Sequence, residues 1–314
     1  MRKVIVLLLV GLLVLAARPA LSHAGAWTLE QGRTWIEIFS RYTYANECFD
    51  PDGNKSRWNN GAFSEIWDVE GKVEYGVTDD LSLLLGIPYT WSTWKDDYIL
   101  HGANQELKHE GFKELTFGGK YQFFKKKPVV AAVQVKGFIY PYTDRNKEPA
   151  LSGYGNAVEV RGILSSSFDV LERFCYVSAE SGYKLMSKRW IGDSDWADTI
   201  PVFAEAGFSP VDWLMLKGEI DCSISLPGTG RIKDTYTWRA GPIFSLMGRG
   251  FSSVRKGTTA PPSEETFSLN LELQYGQTFA GRGDPDIQRD PTWPNSDDRI
   301  SAAHEFIFKV QLLF

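Results

Sequence analysis

From Thr34 to its last residue the chain alternates apolar and polar side chains at every second position. About a dozen such segments follow one another, separated by turn-forming residues. A period of two puts successive side chains on opposite faces of a strand, so each segment predicts a strand with one oily and one wet face. In residues 34–45, Ile36, Ile38, Tyr42 and Tyr44 oppose Glu37 and Arg41; further on, Val69, Gly71, Val73 and Tyr75 oppose Asp68, Glu70, Lys72 and Glu74. The pattern recurs where Leu115, Phe117, Gly119, Tyr121 and Phe123 oppose Glu114, Thr116, Lys120 and Gln122, and where Leu214, Leu216, Ile220 and Ile224 oppose Lys217, Glu219 and Asp221. It runs to the last residue, with Phe306, Phe308, Val310, Leu312 and Phe314 on one face and Glu305, Lys309 and Gln311 on the other.

The connections carry a second signal. Long polar segments are expected at residues 46–62, 95–111, 143–154, 187–198, 226–234 and 280–300, with short turns between them at 78–80, 125–128, 169–173 and 209–212. Such alternation of long and short is the habit of outer-membrane barrels, whose outside loops are long and periplasmic turns short. Residues 248–265 break the rule with a long Gly/Pro/Ser-rich link where a short turn is due. Aromatic residues crowd the strand ends as two girdles require: Tyr42, Trp67, Trp91, Tyr142, Trp238 and Phe279 toward the long loops, Tyr75, Tyr121, Phe123, Phe208 and Trp213 toward the short turns. A secreted β-sandwich also alternates, but has no reason for this loop asymmetry. The fold expected is all-β: an antiparallel transmembrane outer-membrane β-barrel of about 12 strands.

The first residues fit that destination. Met1-Arg2-Lys3 is a charged start, Val4 to Ala17 is almost wholly aliphatic, and Ser22-His23-Ala24 offers small residues at a cleavage position. This predicts a secretory signal peptide over residues 1–24, a barrel over 25–314, and a short periplasmic lead-in over 25–33. The chain has a formal net charge of −5; loss of Arg2, Lys3 and Arg18 with the leader takes it to −8. Nucleic acid, which needs a basic footprint, is not an expected partner. The 3 cysteines, Cys48, Cys175 and Cys222, are odd in number and widely spaced, which makes no disulfide framework, although one bridge is possible.

The wet faces carry both signs of charge. Glu37, Arg41, Glu70, Lys72, Glu74, Glu114, Lys120, Lys136, Glu159, Arg161, Glu180, Lys217, Glu219, Asp221, Arg239, Glu272 and Lys309 are expected to line the lumen, because each would be costly in hydrocarbon. One reading is a network of cross-strand ion pairs that fills and stiffens the interior; the other is a hydrated pore whose charges select solutes. Barrels of 8 strands are filled by side chains and those of 16 or more hold an open channel, so about twelve allows a narrow or plugged path. An inward aromatic set of Trp35, Phe39, Phe138, Tyr140 and Trp213 would suit apolar or aromatic solutes, or only fill space.

Two other classes are kept in view: an outer-membrane lipid hydrolase and a non-conducting structural barrel. A hydrolase needs a nucleophile with a base beside it, yet no Gly-x-Ser-x-Gly elbow occurs. His101 and His109 are read in a loop, and His304 begins the last strand. No catalytic residue, metal ligand or cofactor is assigned. Asp50-Pro51-Asp52-Gly53-Asn54 has the wrong spacing for a calcium loop and reads as a turn. Asp284, Asp286, Asp290, Asp297 and Asp298 make the last long loop acidic, and divalent bridging to lipopolysaccharide would be one use of it.

The stretch Val73-Glu74-Tyr75-Gly76-Val77-Thr78-Asp79-Asp80-Leu81-Ser82-Leu83-Leu84-Leu85-Gly86-Ile87-Pro88-Tyr89 resembles the bacterial outer-membrane transporter-like family named for the meta-pathway of phenol degradation. The resemblance lies in the Tyr-Gly-aliphatic-Thr-Asp turn, the alternating aliphatic strand and the Pro-Tyr that follows. It implies a barrel that passes small, often aromatic, compounds, and it assigns no site residue. The function expected is therefore passage of small solutes across the bacterial outer membrane through a charge-lined lumen. The expected partners are outer-membrane lipid and lipopolysaccharide, small-molecule solutes, and the barrel-assembly machinery through the C-terminal strand.

Overall fold

The computed structural model describes residues 25–50, 52–58, 61–95, 106–139, 156–186, 197–230, 232–247, 251, 268–282 and 300–314. The signal peptide expected over 1–24, the link expected over 248–265 except Phe251, Tyr140, Tyr142, His101 and the aspartates of the last long loop lie outside the described residues.

The chain lays down β1 (Thr34–Ala45), β2 (Glu47–Phe49), β3 (Lys55–Arg57), β4 (Phe63–Thr78) and β5 (Leu81–Lys95). It continues with β6 (Glu106–Phe112), β7 (Leu115–Lys126), β8 (Val129–Ile139), β9 (Ala157–Val170) and β10 (Arg173–Met186). The remainder is β11 (Thr199–Val211), β12 (Leu214–Ser225), β13 (Asp234–Met247), β14 (Ser268–Arg282), β15 (Ile300–Ser301) and β16 (His304–Leu313). Every pairing is antiparallel, and the sheet closes: β4 pairs with β1 on one side and β5 on the other, while β1 pairs with the last strand, β16. Leaving out β2, β3 and β15, and counting β6 and β7 as one interrupted strand, the barrel has twelve strands. Closure satisfies every edge, which is what permits a sheet to cross lipid.

The wall's two faces divide as the alternation requires. Leu83, Leu85, Ile87, Phe117, Val160, Leu164, Leu216, Ile220, Phe306 and Phe308 are exposed, whereas Glu37, Asp68, Glu74, Lys120, Glu159, Glu205, Glu219, Glu272 and Lys309 are buried. Burial of charge with exposure of aliphatics inverts the order of a water-soluble protein, and it makes physical sense only with lipid outside. At the girdles Trp67 and Trp91 lie 5.3 Å apart near the long-loop end, and Tyr75, Tyr121, Phe123 and Trp213 are exposed at the other.

Several segments depart from the sequence reading. Residues 106–111, expected within a loop, belong to β6, which extends the sheet by pairing with the outer half of β5 and carries His109. The connection after β1, expected to be irregular, folds into β2 and β3, and β15 adds to β2 to make a separate three-stranded sheet. Trp213 is exposed and stacked on Phe244 at a turn, so it belongs to the girdle and not to the inward aromatic set. Cys48, Cys175 and Cys222 are all free. The Asp50 carboxylate accepts hydrogen bonds from the Asn54 backbone and side chain, at 2.7 and 3.2 Å, and closes a turn with Gly53 at φ 82°.

Candidate functional site: the lumen and its closed end

Because side chains alternate along the strands between the few register shifts, inward residues of neighbouring strands meet in rungs. Asp68 of β4 stands opposite Arg41 of β1, Glu272 of β14 opposite Lys309 of β16, and Glu219 of β12 opposite Arg239 of β13. Opposite charges across a rung hydrogen-bond without leaving the wall. The rungs then join sideways into one chain of contacts. Asp68 accepts from Arg41 at 2.6 Å, Lys113 at 2.9 Å and Thr90 at 2.5 Å. Arg41 reaches Glu305 at 3.9 Å, Glu305 takes Arg239 at 2.7 Å, and Arg239 also meets Asp221 at 3.2 Å and Glu219 at 3.8 Å.

Lys217 is the hub of the other half of this network. Its ammonium lies 2.5 Å from Glu219, 3.2 Å from Glu205 and 3.3 Å from Glu272. Glu272, fully buried, also takes Lys309 at 2.9 Å and the Gln311 amide at 3.0 Å. Gln311 donates onward to Glu37 at 3.1 Å, and Glu37 holds Lys72, which bridges to Glu70 at 3.5 Å. Two smaller groups stand apart from this network, one on β8 to β10 and one between β4 and β7. Arg161 binds Glu159 at 2.6 Å and Glu180 at 3.2 Å, with Lys136 3.9 Å from Glu159; Lys120 binds Glu74 at 3.2 Å.

Of the residues expected in the lumen, the structure thus brings Glu70, Lys72, Glu74, Lys120, Lys136, Glu159, Arg161, Glu180, Lys217, Glu219, Asp221, Arg239 and Glu272 onto inward rungs, each in an ion pair. Glu114 is the exception: it lies in the break between β6 and β7, half-buried. Its neighbour Lys113, which the alternation did not single out, supplies the cation to Asp68. Glu205 and Glu305 were also missed as network members, although their parity in the sequence would have found them. Phe39 and Phe138 do face inward, each beneath a lysine: Lys72 lies 4.8 Å from the Phe39 ring and Lys184 4.2 Å from the Phe138 ring.

At the short-turn end, segments that are not strands pack against inward residues of the wall. Residues 25–33, expected as a periplasmic lead-in, enter the lumen and cross beneath β5 to β10. The Leu29 amide donates to Ser82 at 3.0 Å, Thr28 to Gln122 at 3.2 Å, and Ala26 to Ser165 at 2.8 Å. Ala26 and Leu29 are fully buried. The correction has a plain cause: backbone amides that find inward serines and a glutamine leave no signal of periodicity. From the other side comes Phe251, 2% exposed, which packs with the inward Phe174, Tyr176, Met215 and Ile243; its amide donates to the Asp212 carbonyl at 2.7 Å. Trp27 touches both this group and the cluster of Ala26, Val130, Ala132 and Ile163, and meets Tyr176 edge-on at 6.5 Å.

The His304 Nδ1 is 2.6 Å from the Tyr275 hydroxyl, on the outer aromatic cluster with Phe306. Among the described residues no group of three or more His, Cys, Asp or Glu is placed to hold a metal ion.

No protein-family model and no curated protein matches the chain, so the resemblance in the Val73–Tyr89 stretch has no family match behind it. Solved structures do match. An outer membrane channel from Pseudomonas putida F1 is similar over 94% of this chain and 100% of its own, with TM-score 0.60 and 11% identity. The translocator domain of the autotransporter NalP from Neisseria meningitidis is similar over 91% and 90%, with TM-score 0.46 and 9% identity. At such identities the first of these speaks to fold. With the lipid-facing exterior and the closed twelve-stranded ring, it establishes the protein as a β-barrel of the bacterial outer membrane.

Proposed function

We propose that the protein is a passage for small solutes across the outer membrane, shut at its short-turn end by residues 25–33 and Phe251. The observation that supports this is the nature of the closure. The wall is tied by continuous ladders, whereas the plug is held by separate hydrogen bonds, from Ala26, Thr28 and Leu29 to side chains and from Gly32 and Phe251 to the backbone of Gly76 and Asp212, and by apolar contacts around Trp27. A purely structural barrel needs no such separable part; eight-stranded barrels fill themselves with wall side chains. The channel named among the similar structures agrees with this reading, and the resemblance of the Val73–Tyr89 hairpin favours small, often aromatic, compounds. Outer-membrane lipid and lipopolysaccharide would bathe the exposed belt. The C-terminal strand, with Phe306 and Phe308 turned outward, is the element to present to the assembly machinery.

The test is electrical. In planar bilayers the intact protein should conduct poorly, and replacement of Trp27 and Phe251 together by alanine should raise conductance several-fold. Variant barrels that fold and insert yet conduct no better than the intact protein would turn the reading toward a non-conducting structural barrel.

A further inference from the structure

We propose that Gln274 is the docking point within the lumen for a neutral solute bearing a carboxamide-like group, with a hydrogen-bond donor and an acceptor side by side. The proposal rests on the passage reading, since only a traversed lumen brings a solute to a residue buried there. Gln274 is 5% exposed and faces inward on β14, and both its Nε2 and its Oε1 are buried with no hydrogen-bond partner. A buried donor or acceptor left unpaired has lost its hydration without return, and Gln274 carries one of each at the same spot.

Its neighbours explain why the protein itself does not satisfy it. Across the rung on β16 is Ile307, which has no polar atom to offer. The adjacent inward positions on β14 are Glu272, already engaged by Lys217, Lys309 and Gln311, and Gly276, which has no side chain. On β13 the nearest position is Gly241, where an added Cβ would come within 2.7 Å of the Gln274 Cα. Arg239 spends its guanidinium on Glu305 and Asp221. The amide is therefore ringed by charges that are occupied and by positions that are apolar or bare.

The same inventory selects the chemistry of the occupant. With Glu74 bridged to Lys120, the other fully buried lumen-facing side-chain atoms left unpaired among the described residues are neutral: the Gln274 amide, Gln311 Oε1, Gln122 Nε2, Tyr176 OH and Trp35 Nε1. An entering ion finds the buried charges around Gln274 already matched within the wall and gains little for the hydration it gives up. A neutral amide or urea-like group forms two hydrogen bonds with Gln274, a donor to a carbonyl and a carbonyl to a donor, and displaces only water.

The experiment compares benzamide, benzoate and toluene as probes of similar size, by ligand-observed saturation-transfer NMR on the full detergent-solubilised barrel. Benzamide is expected to bind best, and Gln274→Met, close in shape but without the amide, to weaken it at least fivefold while leaving toluene within twofold. Should Gln274→Met fail to give a folded barrel, Gln274→Asn, which withdraws the amide by one methylene, is expected to show a smaller loss in the same direction. Benzamide binding within twofold of the intact protein in the folded variants, or benzoate binding as well as benzamide, overturns the proposal. Vesicle swelling with the same amide separates the two readings: binding that depends on Gln274 without any flux sinks the passage and spares the site, and flux indifferent to Gln274 does the reverse.

Discussion

The middle of the lumen and its short-turn end are both filled, but by opposite means. In the middle, charged side chains from β4 around to β11 neutralise one another through Lys217, Glu272, Lys309, Arg239 and Asp68, each anchored in a hydrogen-bonded wall. At the end, aromatic and aliphatic side chains meet around Trp27 and Phe251, both delivered by segments outside the barrel strands. The first arrangement is rigid because a change at one charge leaves another buried without its partner. The second lies outside the strand ladders, and its apolar contacts are non-directional. The proposed passage would need its rigid and its movable parts in different places, and this division supplies them.

The largest effect is expected at the hub. Lys217→Met leaves Glu205, Glu219 and Glu272 buried around a lost cation, and removing one partner of a buried network costs ~3–5 kcal/mol. The midpoint of denaturant unfolding in lipid vesicles should fall accordingly; an unshifted midpoint would put the network on a par with surface ion pairs.

The next effect breaks the other side of the comparison. Trp27→Ala should raise ion conductance and cost less stability than Lys217→Met, because the wall ladders are untouched. A conductance no different from that of the intact protein, together with a large loss of stability, would make the plug part of the scaffold.

Smaller still is the effect of cutting the plug's tethers. Ser82→Ala and Ser165→Ala each remove one acceptor of a backbone amide, a loss of about 1 kcal/mol. Hydrogen exchange at Leu29 and Ala26 should quicken by about a factor of five at each site, as that energy implies, with the β12–β14 amides unchanged. Equal quickening in both places would mean that plug and wall open together.

The least effect belongs to the small sheet outside the barrel wall. The Lys55 ammonium, hydrogen-bonded to Glu47 at 2.5 Å, holds that carboxyl below its ordinary value of 4.5, with Arg57 adding to the pull. A depressed carboxyl stabilises fully above its unfolded pKa, and that contribution is lost as pH falls through the folded value. Amides of β2 and β3 should therefore be less protected, relative to their intrinsic exchange at each pH, below about pH 4 than at neutral pH, and the difference should shrink in high salt, since exposed pairs are screened. Acid-sensitive exchange in β12 instead of β2 would shift the pH response into the lumen.

How much of this was legible in the chain follows from the same contrast. The alternation of Val69, Gly71, Val73 and Tyr75 against Asp68, Glu70, Lys72 and Glu74 identifies β4 and both its faces, because a strand has only two. Glu70, Lys72 and Arg239 could be placed in the lumen from parity alone. Their partners could not: whether Glu272 answers Lys217 or Lys309 depends on register across β12, β13, β14 and β16. Phe251 sits among residues without period, and nothing near it marks one aromatic as inserted. Gln274 reads as one more polar residue on an inward face, since a missing hydrogen bond shows only when every neighbour has been placed.

The sequence by itself determined that this is a membrane barrel of about twelve strands, because lipid outside and polar groups inside demand a period of two, and that demand is local. Tertiary structure alone decided which charges meet, where the plug lodges and which amide is left unpaired. Those outcomes depend on residues far apart along the chain, brought together only when the last strand, β16, pairs with the first, β1.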